Sequence, residues 1–325
     1  MRIDRPLLKL PLRFCGETLA SEVAALPANA WNEHPQKLDG NIAVPLVSAG
    51  GTINDDFSGP MGPTPWLAQC PYIMEVMQAF DATLGRSRLM GLRSGATVPE
   101  HVDIHYYWRT HLRIHIPVIT NPEVSFTCAN ETVHMQAGEN WILDSFYRHN
   151  VRNGGPDTRI HLVIDTVGSD RLWDLIEEAL SGTAEEKLVV PGTSPARTMD
   201  YEQINVPLVM SPWEMQCHLA YISDWTDEQP GRDEVLAIVD RFVMAWNGAW
   251  ARYGLSEEGL PTYAKLLTDV RTGLAGYTGP RPTLRNTSPL IETIARFILA
   301  NAVLPAVLQQ MQTRSAQASS PRVTA

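Results

Sequence analysis

No run of about 18 apolar residues occurs in this 325-residue chain, so no segment is suited to cross a membrane as a helix. Cysteines are few and scattered: Cys15, Cys70, Cys128 and Cys217 form no C-x-x-C pair, and reduced thiols of a cytoplasmic protein are the expectation. Positive charge is in short supply, with 26 Lys and Arg against 36 Asp and Glu, for a net charge of −10. A general nucleic-acid binder needs clustered Lys and Arg to neutralise phosphates, so that class is excluded. Charged residues amount to 19%, too few for a disordered chain, while 44% hydrophobic residues suffice for a core. At the start, Lys9, Arg13 and Glu17 interrupt the apolar residues of MRIDRPLLKLPLRFCGETLASEV, so no signal peptide is expected there. No repeat of solenoid length occurs.

The texture changes along the chain. Residues 1–84 read as an irregular wrap with short strand-like pieces such as Ile42–Val47, then a helix over Tyr72–Leu84 with Ile73, Val76, Met77 and Phe80 on one face. From 85 to 168 short alternating runs (RLMGLR, LRIHIPVI, SFTCAN, NWILD, TRIHLVID) are punctuated by Gly, Pro and Asn, the pattern of an antiparallel sandwich or barrel. Residues 169–312 turn helical: RLWDLIEEAL, Asp233–Tyr253, Leu260–Leu274 and Pro289–Gln312, the last with a kink expected at Pro305. Residues 313–325 read as a frayed tail. Trp246, Trp250 and Tyr253 recur at helical spacing, which suits core packing or a homodimer contact through the C-terminal helices.

Seven of the nine histidines fall between His101 and His161. In His101-Val102-Asp103 the polar residues stand at i and i+2, on one side of an extended chain. Joined by a second imidazole, they make the 2-His-1-carboxylate set that leaves positions open on Fe(II) for a chelating cosubstrate and O2. The further candidate is His149 in NWILDSFYRHNVRN, whose competing reading is a surface turn histidine. Ten residues on, TRIHLVID alternates Arg159, His161 and Val163 with Ile160, Leu162 and Ile164. LRIHIPVI likewise sets Arg113 and His115 opposite Leu112, Ile114 and Ile116. Burying an arginine is costly unless it meets an anion, and a guanidinium matches a carboxylate in bidentate fashion. Arg159 is therefore a candidate for the distal carboxylate of 2-oxoglutarate. A solvated outer sheet face is the alternative.

Together SGATVPEHVD, RIHIPVITNP, GENWILDSFYRHNVRN and TRIHLVID make the stretch from about Arg93 to Asp165 resemble the aspartyl/asparaginyl β-hydroxylase family, which includes bacterial free-proline hydroxylases. The resemblance implies a mainly β core, a double-stranded β-helix of jelly-roll or cupin-like form, beside the C-terminal helical region. It also implies His101, Asp103 and His149 as iron ligands, Arg159 as the grip on 2-oxoglutarate, and Arg113 and His115 lining the cosubstrate and substrate pocket. The family's animal peptide hydroxylases carry glycine where this chain has Asp103, whereas the bacterial proline hydroxylases keep aspartate. Asp103 also argues against a halogenase, which lacks that carboxylate.

The implied activity is a dioxygenase that consumes Fe(II)-bound 2-oxoglutarate and O2, releases succinate and CO2, and hydroxylates an unactivated C–H of an amino acid or peptide residue. A jelly roll holding zinc or a small acid through the same ligands is the rival reading. Asn150, Arg152 and Asn153, beside His149, read as exposed loop residues or as contacts around the site.

Overall fold

The computed structural model describes Ile3, residues 5–33, 38–193 and 198–305, and Val307. The tail expected over 313–325 lies outside the described residues, as does the end of the helix expected over Pro289–Gln312. Two compact units divide the chain. One comprises residues 1–103 and 110–205, the other residues 104–109 and 206–325.

Among the described residues the first unit is built on thirteen strands: β1 (Leu7–Phe14), β2 (Asn32–Glu33), β3 (Asn41–Ala49), β4 (Met61–Pro63), β5 (Thr83–Leu92), β6 (Thr97–His101), β7 (Leu112–Ile119), β8 (Val124–Cys128), β9 (Glu131–Val133), β10 (Glu139–Leu143), β11 (His149–Asn153), β12 (Arg159–Gly168) and β13 (Lys187–Val189). The larger sheet runs β13-β1-β10-β7-β12-β5-β3-β2, with β4 on β3, and the smaller runs β6-β11-β8-β9. Strands β5 to β12 thus enter the two sheets in the order of a double-stranded β-helix, the jelly-roll fold expected from the resemblance.

Alternation explains why the sheets stack. Leu92, Phe126, Cys128, Leu143 and Val151 turn inward with Leu7 and Met135 to form an apolar cluster. On β12 the other face, Ile160, Leu162 and Ile164, is also buried, so this strand is covered on both sides. Helix α1 (Gly16–Ala25) packs on β7. The turn into β10 needs Gly138, at φ 79, because a Cβ there would come within 2.1 Å of the Phe14 carbonyl oxygen.

The helix expected over Tyr72–Leu84 is shorter in the structure. As α2 (Pro71–Gln78) it stops before Asp81, which takes a positive φ of 48°, and Thr83 already opens β5. The apolar period continued past the helix because Phe80 and Leu84 are buried from non-helical backbone.

The second unit is helical: α3 (Tyr106–Thr110) for all but its last residue, α5 (Pro212–Asp224), α6 (Arg232–Tyr253), α7 (Leu260–Ala275) and α8 (Leu290–Ile294), while α4 (Asp170–Ser181) belongs to the first. Trp246 anchors it, fully buried between Phe242 and Tyr263 with its indole N–H donating to the Met210 carbonyl at 3.0 Å. Trp250 and Tyr253 are half-buried. In place of one long final helix, α8 passes at Ala295–Leu299 into a π-helical turn.

Candidate active site

The short strand β6 ends at His101 and pairs with β11 so that His101 stands directly across from His149. Their ring centroids are 4.2 Å apart. Asp103 follows on the same chain, its Oδ1 3.8 Å from His101 Nε2. One ligand atom from each of the three lies within 4.8 Å of the others, an arrangement able to hold a metal ion. Each imidazole is oriented by its own backbone: His101 Nδ1 lies 2.8 Å from the Pro99 carbonyl and His149 Nδ1 lies 2.9 Å from that of Tyr147. A proton on Nδ1 leaves Nε2 as the metal-facing lone pair. Burial, offset in part by Asp103, pushes the His149 pKa down to about 4, so the ring is neutral and available as a ligand at neutral pH.

Asp103 is held ionised. Burial works against its charge, but Arg113 foremost, then His149, His101 and Arg86, bring its pKa below the usual carboxylate value. Arg113 grips Asp165 through Nε at 2.9 Å and Nη2 at 3.3 Å and reaches Asp103 through Nη1 at 3.5 Å. Asp165 was not singled out from the sequence, although its alternation with Arg159 and His161 on TRIHLVID places it on the same face.

The inner face of β12 contrasts with this partnered group. Arg159 is 5% exposed, and its Nε and Nη2 are buried with no hydrogen-bond partner. Burial lowers its pKa to about 9, so it keeps its positive charge at neutral pH. Register sets His115 opposite Val163, and His161 opposite Met90 of β5, in the same interior. Both histidines are buried with neither ring nitrogen bonded, and burial, reinforced by the arginines nearby, drives both pKa values well below normal. A sequence of rings leads from this pocket to the triad: His161 to His115 at 5.8 Å, His115 to Phe126 at 5.4 Å, Phe126 to His149 at 6.4 Å. A buried cation with unused donors, beside neutral imidazoles, calls for a small anion.

The residues after His149 part company. Arg152 is exposed and Asn150 half-buried, but Asn153 is fully buried and structural. Its Nδ2 donates to the carbonyls of Leu92, Arg93 and Asp157, and its Oδ1 accepts from Gly155 N–H. Sequence reasoning also passed over Arg86 and Arg88, whose R-x-R spacing on β5 repeats the alternation of R-x-H.

On this double-stranded β-helix two histidines and a carboxylate form a donor set that suits a divalent metal ion, and the buried cation of Arg159 suits a small anion. Residues 61–168 match the sequence model of the family described as aspartyl/asparaginyl beta-hydroxylase, the same family that the motifs of this segment resemble. Over 104 residues the chain is 30% identical to the L-proline cis-4-hydroxylase of Rhizobium meliloti (strain 1021), a match covering 31% of this chain and 37% of that protein. The chain therefore spans little more than a third of the length of that curated relative. Among solved structures it is similar to an oxidoreductase of the 2OG-Fe(II) oxygenase family from Burkholderia pseudomallei, with 13% identity, coverage of 48% of this chain and 93% of the other, and a TM-score of 0.31. It is also similar to the Schizosaccharomyces pombe Cnp3 cupin domain, with 13% identity, coverage of 27% and 58%, and a TM-score of 0.21. Among the described residues no helix is long and apolar enough to cross a membrane.

Proposed function

We propose that this protein is an Fe(II)- and 2-oxoglutarate-dependent dioxygenase that hydroxylates an unactivated C–H of an amino acid or of an aspartyl, asparaginyl or prolyl residue. One observation carries the reading: the buried, unpartnered donors of Arg159 inside the barrel whose mouth holds His101, Asp103 and His149. A bare zinc site has no use for such a cation, and an isolated buried guanidinium is a standing cost until an anion meets it.

His101, Asp103 and His149 would hold the iron, and Arg159 the distal carboxylate of 2-oxoglutarate. His115 and His161, neutral at working pH, line the space beside Arg159 as polar groups that bring no repelling charge. Arg113, braced by Asp165, orients Asp103 and keeps it ionised. Iron, 2-oxoglutarate and O2 supply the oxidising chemistry, with succinate and CO2 as co-products. The chain's contribution is to fix the three ligands, neutralise the cosubstrate and close the site to water. The L-proline hydroxylase relative favours a small amino acid as substrate.

Anaerobic addition of Fe(II) and 2-oxoglutarate to the apo-protein is the test, read as the weak visible metal-to-ligand band. The band is expected in the wild type, absent in His149→Ala, and to need far more 2-oxoglutarate in Arg159→Ala. Folded wild-type protein that gives no band under any condition would sink the oxygenase reading and leave a metal-binding jelly roll.

A further inference from the structure

The two histidines of the triad stand on unequal ground. His149 opens β11, which has β8 on one side and β6 on the other, and it is 4% exposed. His101 closes β6, the edge strand of that sheet, whose residues are all exposed except the half-buried Val98. The ladder is also irregular where His101 needs it. Register runs from His149↔His101 to Val151↔Val98, so β6 carries an extra residue between these pairs. Pro99 lies in that bulge and has no N–H to give to the ladder.

Two holds secure the end of the strand. Asp103 N–H donates to the carbonyl of Ser145, in the turn before β11, at 3.0 Å. The other hold is an ion pair. Arg148 Nε donates to Glu100 Oε2 at 2.9 Å, and Arg148 Nη2 donates to the same oxygen. Glu100 immediately precedes His101 and Arg148 immediately precedes His149, so one side-chain contact spans the two strands beside both ligands. The side chains are 46% and 41% exposed.

We propose that Glu100 and Arg148 are positioning residues for the metal centre, their ion pair clamping the end of β6 to the start of β11 so that His101 stays across from His149. The inference rests on the metal-binding part of the reading above and adds to it two residues that hold neither iron nor cosubstrate. A slip of one residue would turn His101 to the opposite face of the sheet, and a bulged edge strand is where pairing yields most easily. An exposed ion pair adds little to the stability of a whole domain, but it bears directly on a local opening that it spans. Charge favours the same assignment. Arg148 stands beside a site built for a cation, where its own field opposes the ion, and pairing with Glu100 gives it a use there.

The experiment measures Fe(II) affinity of the full chain anaerobically, by competition with a chromophoric chelator, with Co(II) as a second probe. The main variant is Glu100→Gln/Arg148→Gln, which lacks the clamp and keeps the net charge of the wild type. It should bind either metal roughly three- to fivefold more weakly, the scale that an exposed ion pair transmits. The reversed pair, Glu100→Arg/Arg148→Glu, should recover most of that loss. Arg148→Gln alone gives a contrast of sign: a clamp predicts weaker binding, whereas a simple field predicts tighter binding once a positive charge is removed. In metal-free protein the Asp103 amide should exchange faster with solvent deuterium in the doubly neutral variant, with the denaturation midpoint at its wild-type value. Any of four results overturns the proposal: the doubly neutral variant binds within twofold of wild type, the reversed pair binds no better than the doubly neutral one, Arg148→Gln binds more tightly than wild type, or weaker binding tracks a lowered midpoint. Wild-type protein that holds the metal but gives no visible band with 2-oxoglutarate counts against the oxygenase reading and leaves the clamp standing. Wild-type protein that holds neither Fe(II) nor Co(II) overturns the clamp.

Discussion

Asn153 and Arg159 sit six residues apart on the two sides of one turn, both buried, and their surroundings are opposite. Every polar atom of the Asn153 amide has a protein partner, drawn from the end of β5, the residue after it and the turn before β12. Arg159, one turn later on the inner face, has two donors with none. A buried polar side chain that is fully bonded is part of the scaffold, whereas a buried charge left with open donors marks where a ligand belongs. The contrast separates structure from function more sharply than residue type does.

The largest expected effect tests the ligand end of that comparison. His149→Ala should reduce Fe(II) retention at least ~100-fold, measured as iron content after dialysis against a competing chelator, because it would remove one of the three protein ligands proposed above. Retention equal to wild type would mean that the iron sits elsewhere. Next comes Arg159→Leu, which should weaken 2-oxoglutarate binding by about 100-fold, or roughly 3 kcal/mol, as expected for losing a desolvated charge partner. Its apo-form should be as stable as wild type or more so, since the substitution removes an uncompensated buried charge. A fall of more than about 2 kcal/mol in denaturant titration, with cosubstrate affinity intact, would assign Arg159 to the scaffold.

Asn153→Ala should do the reverse. Orphaning three carbonyls and one N–H at a buried turn costs on the order of 2–4 kcal/mol of unfolding free energy, while the folded fraction binds 2-oxoglutarate within twofold of wild type. A smaller but specific effect concerns pH. His149 titrates at about 4 in the fold against about 6.5 unfolded, and His115 and His161 lie well below normal as well. The unfolded chain therefore takes up these protons first. Stability of the apo-protein is at its full value above pH ~6.5 and declines as pH falls below it, by about 1.4 kcal/mol per pH unit for each histidine. His161→Asn should remove about one such share of the slope, and an unchanged slope would show that His161 charges freely in the folded state. Smallest of all, Lys265→Ala breaks an exposed i,i+4 pair with Asp269 and should move stability by less than ~0.5 kcal/mol.

Much of the first unit was legible because strand alternation is local. The runs LRIHIPVI and TRIHLVID announced an aliphatic and a polar face, and the structure buries both, with Ile160, Leu162 and Ile164 on one side and Arg159 and His161 on the other. The same locality misled at Tyr72–Leu84, where apolar spacing ran on through Phe80 and Leu84 after the helix had ended. Asn153 was misjudged for a different reason: its partners at Leu92 and Arg93 are about sixty residues away, and nothing beside it announces them. Asp55 is the extreme case, since its loop has no motif and gains meaning only from the arginines it meets.

By itself the sequence determined which residue types could do the chemistry and on which strand face each would lie, since both follow from composition and a period of two. Only the tertiary structure decided which of those residues are satisfied. Pairing β6 with β11 brings His101 against His149, Asp165 claims Arg113, Asp55 claims Arg88, and Arg159 is left with open donors. The physical reason is that desolvation and partnership are properties of neighbours distant in the chain. A guanidinium is solvated, paired or waiting for an anion according to what the fold places beside it.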